Sequence, residues 1–396
     1  MKILVTDGNS RAALAITRSL GKKNHHVIVG EHKHPSLASS SKYCRECITY
    51  PDPTRQPQEF IDRIKDIIKE MKIEVILPVT DVTTIPVCEN KKDLEPYCHV
   101  PFSNSESVNF AADKSKLFHL AEELGVAVPK SFWLEEEGDK DKIGDKLSYP
   151  LVIKPGKSRI KTENGWLSTM VKYADNQREL NSILAAESPL AYPLLLQERI
   201  IGPGVGIFVC YNHGTPLAFF SHRRLREKPP SGGVSVLRES IPVSPVAREF
   251  SERLLNHLQW HGVAMVEFKV DQRDDTPKLM EINGRFWGSL QLAIDAGVDF
   301  PALLIDIIDQ KTSQSLVNYT AGIRTRWLLG DVDSLLMILF KRRSKLKLPK
   351  GHRSRIQYLL EFLKLWQKNT NYEVLKWDDM RPWFYEFGQW HHQNKK

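Results

Sequence analysis

Several things are scarce or missing from this 396-residue chain, and each absence narrows what it can be. No apolar run approaches the roughly 20 residues that a membrane-spanning helix needs. No charged and apolar leader opens the chain, because Met1-Lys2-Ile3-Leu4-Val5 runs straight into a strand pattern. The five cysteines are an odd number in a large chain, which points to unpaired thiols in a reducing cytoplasm rather than a disulfide framework. Cys44 and Cys47 form a CxxC, but Cys88 and Cys98 lack the spacing of a zinc ribbon. The dinucleotide fingerprint GxGxxG is missing, since the first turn holds only Gly8. That weighs against a nicotinamide oxidoreductase. A Walker GxxxxGK[ST] loop is missing too. The net charge of +8 is modest and gathers toward the C-terminus. It suits nucleotides and acidic substrates without requiring nucleic acid, and none is expected as a partner.

What is present is organised around Met265 to Gly288. Two strands, 263–270 and 278–283, flank an Asp-rich turn that contains Pro277. With side chains alternating faces, Val266, Phe268 and Val270 share the core face, opposite Met280 and Ile282. Glu267, Glu281 and Asn283 fall on the other face. A turn symmetric about Asp274 sets Glu267 directly across from Glu281. Facing carboxylates repel and weaken a ladder. A divalent cation between them removes the objection, and Mg²⁺ typically takes one or two carboxylates plus phosphate oxygens. Arg285, two residues past Asn283, is placed to reach phosphate. The bland alternative is a solvated polar face.

The chain length calls for two or three domains. A strand at 2–6, a turn at 7–10, a helix at 11–20 and a strand at 26–29 make a βαβ opening. A helix at 60–71 and a strand at 75–78 continue it. Gly8 and Asp81 stand at strand ends, where open α/β sheets bind ligands. From about residue 101 the pattern changes, with a mostly helical stretch at 103–124 that contains Asp113-Lys114. Lys154 lies in an apolar strand, and a lysine there calls for an anionic or acidic partner. A basic loop with glycines at both ends, 156–165, follows it and could cover phosphates. A strand ends in Gln197-Glu198-Arg199-Ile200. Two more strands lead to Arg223, Arg224 and Arg226, which read as a carboxylate or phosphate clamp at a strand end or else as a solvated basic face. The loop 229–233 is placed to cover a site. Helices are expected at 248–258, 286–296 and 300–309. The terminal segment combines six Lys or Arg between 341 and 350 with a crowd of aromatics from Trp377 to Trp390. It could rest on an anionic membrane, pack onto the body or recruit a partner.

Lys114, the VIKP around Lys154, the QERI at Gln197 to Ile200, and the pair MVEF and MEINGR together resemble the ATP-grasp superfamily in its carboxylate–amine ligase form. The resemblance is distant to biotin carboxylase and to the large subunit of carbamoyl-phosphate synthetase. It covers about 103–301. It implies an α/β and α+β architecture: a Rossmann-like pre-ATP-grasp domain over 1–100, then a two-lobed ATP-grasp domain over 101–320 with its smaller lobe at about 130–196. A helical, aromatic-rich extension fills 321–396. It implies that Lys114 and Lys154 hold ATP phosphates and that backbone groups of Gln197, Glu198, Arg199 and Ile200 read the adenine. Glu267, Glu281 and Asn283 would hold Mg²⁺ or Mn²⁺, and Arg285 would steady the transferred phosphoryl group. Arg223 and Arg224 are the candidates for holding the acyl-phosphate or an acceptor carboxylate. The stretch Gly204 to Ile207 lacks the acidic residue that many relatives use for the ribose. The implied activity is an ATP-dependent ligase joining a small carboxylate to an amine through an acyl-phosphate. The alternative is a non-catalytic ATP-binding scaffold. A cytoplasmic location, a homodimer and a peripheral membrane contact through the extension complete the expectation.

Overall fold

The computed structural model describes residues 1–136, 139, 148–155, 159–162, 165–168, 171–185, 193–311, 318–342, 346, 348, 354–364 and 367–394. The expected βαβ opening is present. Strands Lys2–Val5, His26–Glu31, Glu46–Thr49 and Val75–Leu77 form one parallel sheet, with Lys2–Val5 between His26–Glu31 and Val75–Leu77. The helix Arg11–Lys22 begins at Ser10, whose hydroxyl accepts from the Ala12 N–H. That cap satisfies one of the orphan amides of the first turn. Ala12, Leu14, Ile16 and Leu20 are buried beneath it.

The stretch expected to be helical over 103–124 is two helices, Ser105–Ala112 and Lys114–Glu123. They break at Asp113, which is extended and accepts from the Ser115 and Lys116 amides. The break makes Lys114 the first residue of the second helix. Beyond it, a four-stranded antiparallel sheet runs in the order Ser131–Leu134, Leu194–Glu198, Leu151–Pro155, Lys172–Ala174. Its inner face carries Leu134, Leu151, Ile153, Leu194 and Leu196. Of the glycine-containing loop at 156–165, the backbone of strand Arg159–Thr162 pairs with Gly165–Ser168. Residues 156–158 and 163–164 lie outside the described residues, and so does the expected phosphate contact of that loop.

The largest element is a seven-stranded sheet, ordered Pro277–Asn283, Gly262–Val270, Gly204–Asn212, Thr215–Lys228, Val234–Ser240, Arg324–Arg326 and Thr370–Tyr372. Arg223, Arg224 and Arg226 therefore lie inside a 14-residue strand rather than at the end of one. The last two strands come from the terminal segment, so that segment extends the main sheet. Its aromatics also face inward in part. The Trp327 indole donates to Glu386 at 2.8 Å, the Arg11 guanidinium lies 3.6 Å from the Trp327 ring centre, and the Trp390 indole donates to Asp333 at 2.7 Å. Packing onto the body thus accounts for Trp327 and Trp390, whereas Trp377 and Phe384 stay exposed. Trp366 lies outside the described residues.

Glu373 is the electrostatic anchor of this docking. One oxygen is 2.6 Å from the Arg238 guanidinium and the other 3.0 Å from that of Arg11, with Arg238 and Glu373 almost wholly buried. Arg18 repeats the device, donating to Asp379 at 2.8 Å and to the carbonyls of Glu373 and Val374. Removing one partner of a buried pair strands the other charge in a low dielectric. Glu373→Ala is therefore expected to lower stability by roughly 3–5 kcal/mol, measured as a loss of unfolding free energy in urea. A change below about 1 kcal/mol, typical of exposed pairs, would show that Arg238 is solvated instead.

Candidate active site

The expected carboxylate pair forms. Glu267 lies opposite Glu281, Val266 opposite Ile282 and Met265 opposite Asn283. Past Glu267 the register slips by one, so Phe268 faces Leu279. Leu279, fully buried, takes the core place expected of Met280, and the bulge absorbs the extra residue. Side-chain cations also stand beside the pair. Each acid has its own organic counter-ion: Arg224 Nη2 lies 2.6 Å from Glu267, and Lys114 Nζ lies 3.3 Å from Glu281.

Geometry explains how Arg224 arrives. Gly204 begins the strand that lies between those of Arg224 and Glu267, and the Arg224 side chain lies beside it, 3.6 Å from where a Cβ would sit, an ordinary contact. Two positions further, Gly206 pairs with both Glu267 and His222, and a Cβ would lie 2.5 Å from the Phe208 ring. Arg224 also donates to Glu227 at 3.0 Å and to the Gly233 carbonyl at 3.4 Å. Sequence reasoning overlooked Glu227, although its i,i+3 spacing from Arg224 was visible.

The charge states differ across the pair. Burial alone would raise Glu281, but Lys114, the Asn283 amide, Lys154 and Arg285 overcome it and hold the carboxyl down at about 2. Burial and the charge of Glu281 raise Glu267, with Arg224 pulling the other way. Lys154 donates to Gln197 Oε1 at 2.8 Å, and Gln197 Nε2 donates to the Ser131 hydroxyl at 3.1 Å. Its nearest bonded partner is therefore a neutral amide, not the acid expected. Burial, then repulsion from Lys114, lowers the Lys154 ammonium to about 8. Glu198 and Arg199 continue the strand into the connection between the sheets. The Glu198 N–H donates to the Lys130 carbonyl and its carboxylate accepts from the Lys130 N–H at 2.9 Å. The Arg199 N–H donates to Pro150, and the Ile200 carbonyl accepts from Lys269 at 3.4 Å.

Arg285 joins the N-terminal sheet to this cluster. It donates to both Asp81 oxygens at 2.7 and 3.0 Å and to Asn283 Oδ1 at 2.9 Å. Asn283 Nδ2 in turn donates to Glu281 at 3.0 Å. Asp81, singled out in the sequence as a strand-end residue, is the first residue of the helix Asp81–Glu89. Beside it Asp7, in the left-handed region at φ 56°, accepts from the hydroxyls of Thr6, Thr80 and Thr83 and from the Thr80 amide. In the sequence that knot is visible only as nearby threonines. Gly8 is packed beneath it, where a Cβ would meet Ser36 at 2.4 Å.

Two expected residues are not brought here. Arg223 faces the other way and donates to Glu239 at 2.9 and 2.6 Å, a carboxylate shared with Arg324. Arg226 is buried against Asp331, donating at 2.8 and 2.5 Å. Strand alternation separates Arg223 from Arg224. Irregular pairing on either side of Arg226 then removes it from the face of Arg224.

The donor set fits a hard divalent ion. Among the described residues no three His, Cys, Asp or Glu side chains converge, so an all-protein cage is not offered there. Two carboxylates with an adjacent amide oxygen suit Mg²⁺ when phosphate oxygens complete the shell.

A parallel α/β sheet, an antiparallel lobe and a large antiparallel sheet meet at paired acids ringed by lysine and arginine. Residues 191–330 match the family model described as ATP-grasp in the biosynthetic pathway with Ter operon. The chain is 28% identical to the formate-dependent phosphoribosylglycinamide formyltransferase of Prochlorococcus marinus, over 64% of this chain and 67% of that protein. Its fold is similar to N5-carboxyaminoimidazole synthetase from Staphylococcus aureus, at TM-score 0.65 and 16% identity over 86% of each chain. It is also similar to the biotin carboxylase domain dimer of the Hydrogenobacter thermophilus 2-oxoglutarate carboxylase, solved with MgADP, ADP and bicarbonate. That match has TM-score 0.61 and 15% identity over 81% of this chain and 72% of the other. The chain thus resembles the ATP-grasp proteins, and among them the carboxylate–amine ligases.

The lowered Lys154 makes anion binding proton-linked. A polyphosphate beside it favours the ammonium, so binding takes up protons where the free side chain is partly neutral. ATP binding at pH 8 is expected to take up about half a proton, with affinity falling as pH rises above that and little linkage below pH 7. Calorimetry in buffers of different ionisation enthalpy measures it. Lys154→Met should abolish the uptake, and an uptake unchanged in that variant would assign the proton elsewhere.

Proposed function

We propose that this protein is an ATP-dependent ligase that activates a small carboxylate as an acyl-phosphate and joins it to an amine. The observation that carries the reading is the convergence of Lys114, Lys154, Arg224 and Arg285 on the Glu267–Glu281 pair. Fixed cations beside ionised acids are what phosphoryl transfer uses, since its catalysis is mostly positioning and charge stabilisation. The family match and the ligases and carboxylases among the relatives support the same chemistry.

In this reading a substrate carboxylate oxygen attacks the γ-phosphorus of ATP, the bond from that phosphorus to the bridging oxygen breaks, and ADP departs. Lys154 and Lys114 neutralise the phosphates. Arg285, held in place by Asp81 and Asn283, meets the transferred group. An amine nitrogen then attacks the acyl carbon, the bond from carbon to the phosphate oxygen breaks, and the nitrogen loses a proton as the amide forms. A Mg²⁺ ion held by Glu267, Glu281 and Asn283 would add charge neutralisation on the β- and γ-phosphates. Arg224, beside Glu267 at 2.6 Å, would hold the acyl-phosphate. Gln197 to Ile200 would line the adenine side, and the carboxylate and amine would enter from the Asp81 end of the parallel sheet. No side-chain nucleophile is needed, so the absence of a Ser-His-Asp or Cys-His set is no objection. A homodimer belongs to the same reading, by analogy with the dimeric carboxylase domain.

A screen of amino acids and small acids for amine-dependent ADP release tests the reading, and its failure with every pair would favour a non-catalytic ATP binder. Glu281→Gln should reduce that release by about 100-fold or more with an unchanged circular dichroism spectrum. Arg224→Ala should leave ATP binding within about threefold while lowering amide formation by about 100-fold or more. Ligation at the normal rate in the second variant would remove Arg224 from the reacting centre.

A further inference from the structure

The helices Leu328–Phe340 and Arg355–Phe362 bury one side in a small core of Leu335, Ile338, Tyr358 and Phe362. Their other side is also apolar. Leu336 is 39% and Phe340 79% exposed on the first helix; Ile356 is 71%, Leu360 57% and Leu363 57% exposed on and just after the second. The spacings are i,i+4 on the first helix and i,i+4,i+7 on the second, so each set forms a stripe. A surface helix ordinarily turns charged residues outward, and one that is apolar all round belongs in a core or a lipid phase. Exposure is greatest at Phe340 and Ile356, the two ends that come together, where Arg355 donates to the Lys341 carbonyl at 3.0 Å. Cations surround the stripe: Lys341, Arg342, Arg355 and Lys364 are all exposed. The sequence from 341 to 355, which joins the two helices, carries eight Lys or Arg and no Asp or Glu.

No helix of the described residues is long and apolar enough to cross a bilayer. An apolar tip collared by positive charge matches instead the boundary of an anionic leaflet, where short apolar side chains enter the acyl region and lysines and arginines meet the headgroups. We propose that this helical hairpin docks the protein on an anionic membrane surface. In the aromatic terminus Trp390 is tied to Asp333, whereas Trp377 and Phe384 are exposed and lack the flanking run of cations that the hairpin has. The hairpin and the candidate active site share no residue, so each stands or falls alone.

The test is flotation of the full-length protein with phosphatidylcholine vesicles, with and without phosphatidylglycerol. Binding is expected to the anionic vesicles, at least about tenfold weaker to the neutral ones, and reduced by added salt. Ile356→Asp with Leu360→Asp changes two exposed positions, so the fold should persist by circular dichroism while anionic binding drops about tenfold or more. Lys341→Glu with Arg342→Glu should lower it similarly. Failure to float with anionic vesicles, or equal binding by the Ile356/Leu360 variant, would overturn the proposal. So would a dimer in solution that this variant disperses without any lipid binding, since the face would then belong to a second copy.

Discussion

Two carboxylates on neighbouring strands, Glu267 and Glu281, set the constraint on which the rest of the site is built. Facing acids in a partly dry cleft repel strongly, and the repulsion grows as water is excluded. The molecule answers with separate cations from separate places. Arg224 comes from a strand two positions away in the sheet, Lys114 from the start of a helix, and Lys154 from the smaller sheet. Arg285 adds a fourth, fixed by Asp81 at the start of the helix that follows strand Val75–Leu77. The acids thus gather positive charge from every layer of the protein. The same collection of charge is suited to receive a polyphosphate.

The three arginines at 223, 224 and 226 show how finely backbone geometry assigns roles. They are neighbours in sequence and chemically identical. Alternation sends Arg223 to Glu239 and Arg224 to Glu267, and irregular pairing sends Arg226 to a fully buried Asp331. One meets the candidate site, one ties neighbouring strands inside the sheet through Glu239 and one fastens the Leu328–Phe340 helix. The terminal segment is held by the same chemistry, with Glu373 and Asp379 each taking a buried arginine. What reads in the sequence as an appended tail is in fact two further strands of the main sheet and a set of ion pairs reaching back to the first helix.

Local pattern alone determined the βαβ opening, the hairpin after residue 262 and the pairing of Glu267 with Glu281, because strand periodicity and turn composition act over a few residues. It also placed Lys114, Lys154, Asn283 and Arg285 in one resemblance. The break at Asp113 is local as well, since its side chain caps the Ser115 and Lys116 amides, whereas the bulge at Met280 was decided by tertiary structure. So were the partners of Arg223, Arg226 and Lys154, and the docking of the terminal aromatics. Each of these depends on a residue far away in sequence, such as Asp331 for Arg226 or Gln197 for Lys154. Periodicity tells which face of a strand a side chain leaves by. Only the packed molecule supplies the group it meets, because the energy of a buried charge is set by its neighbours in space.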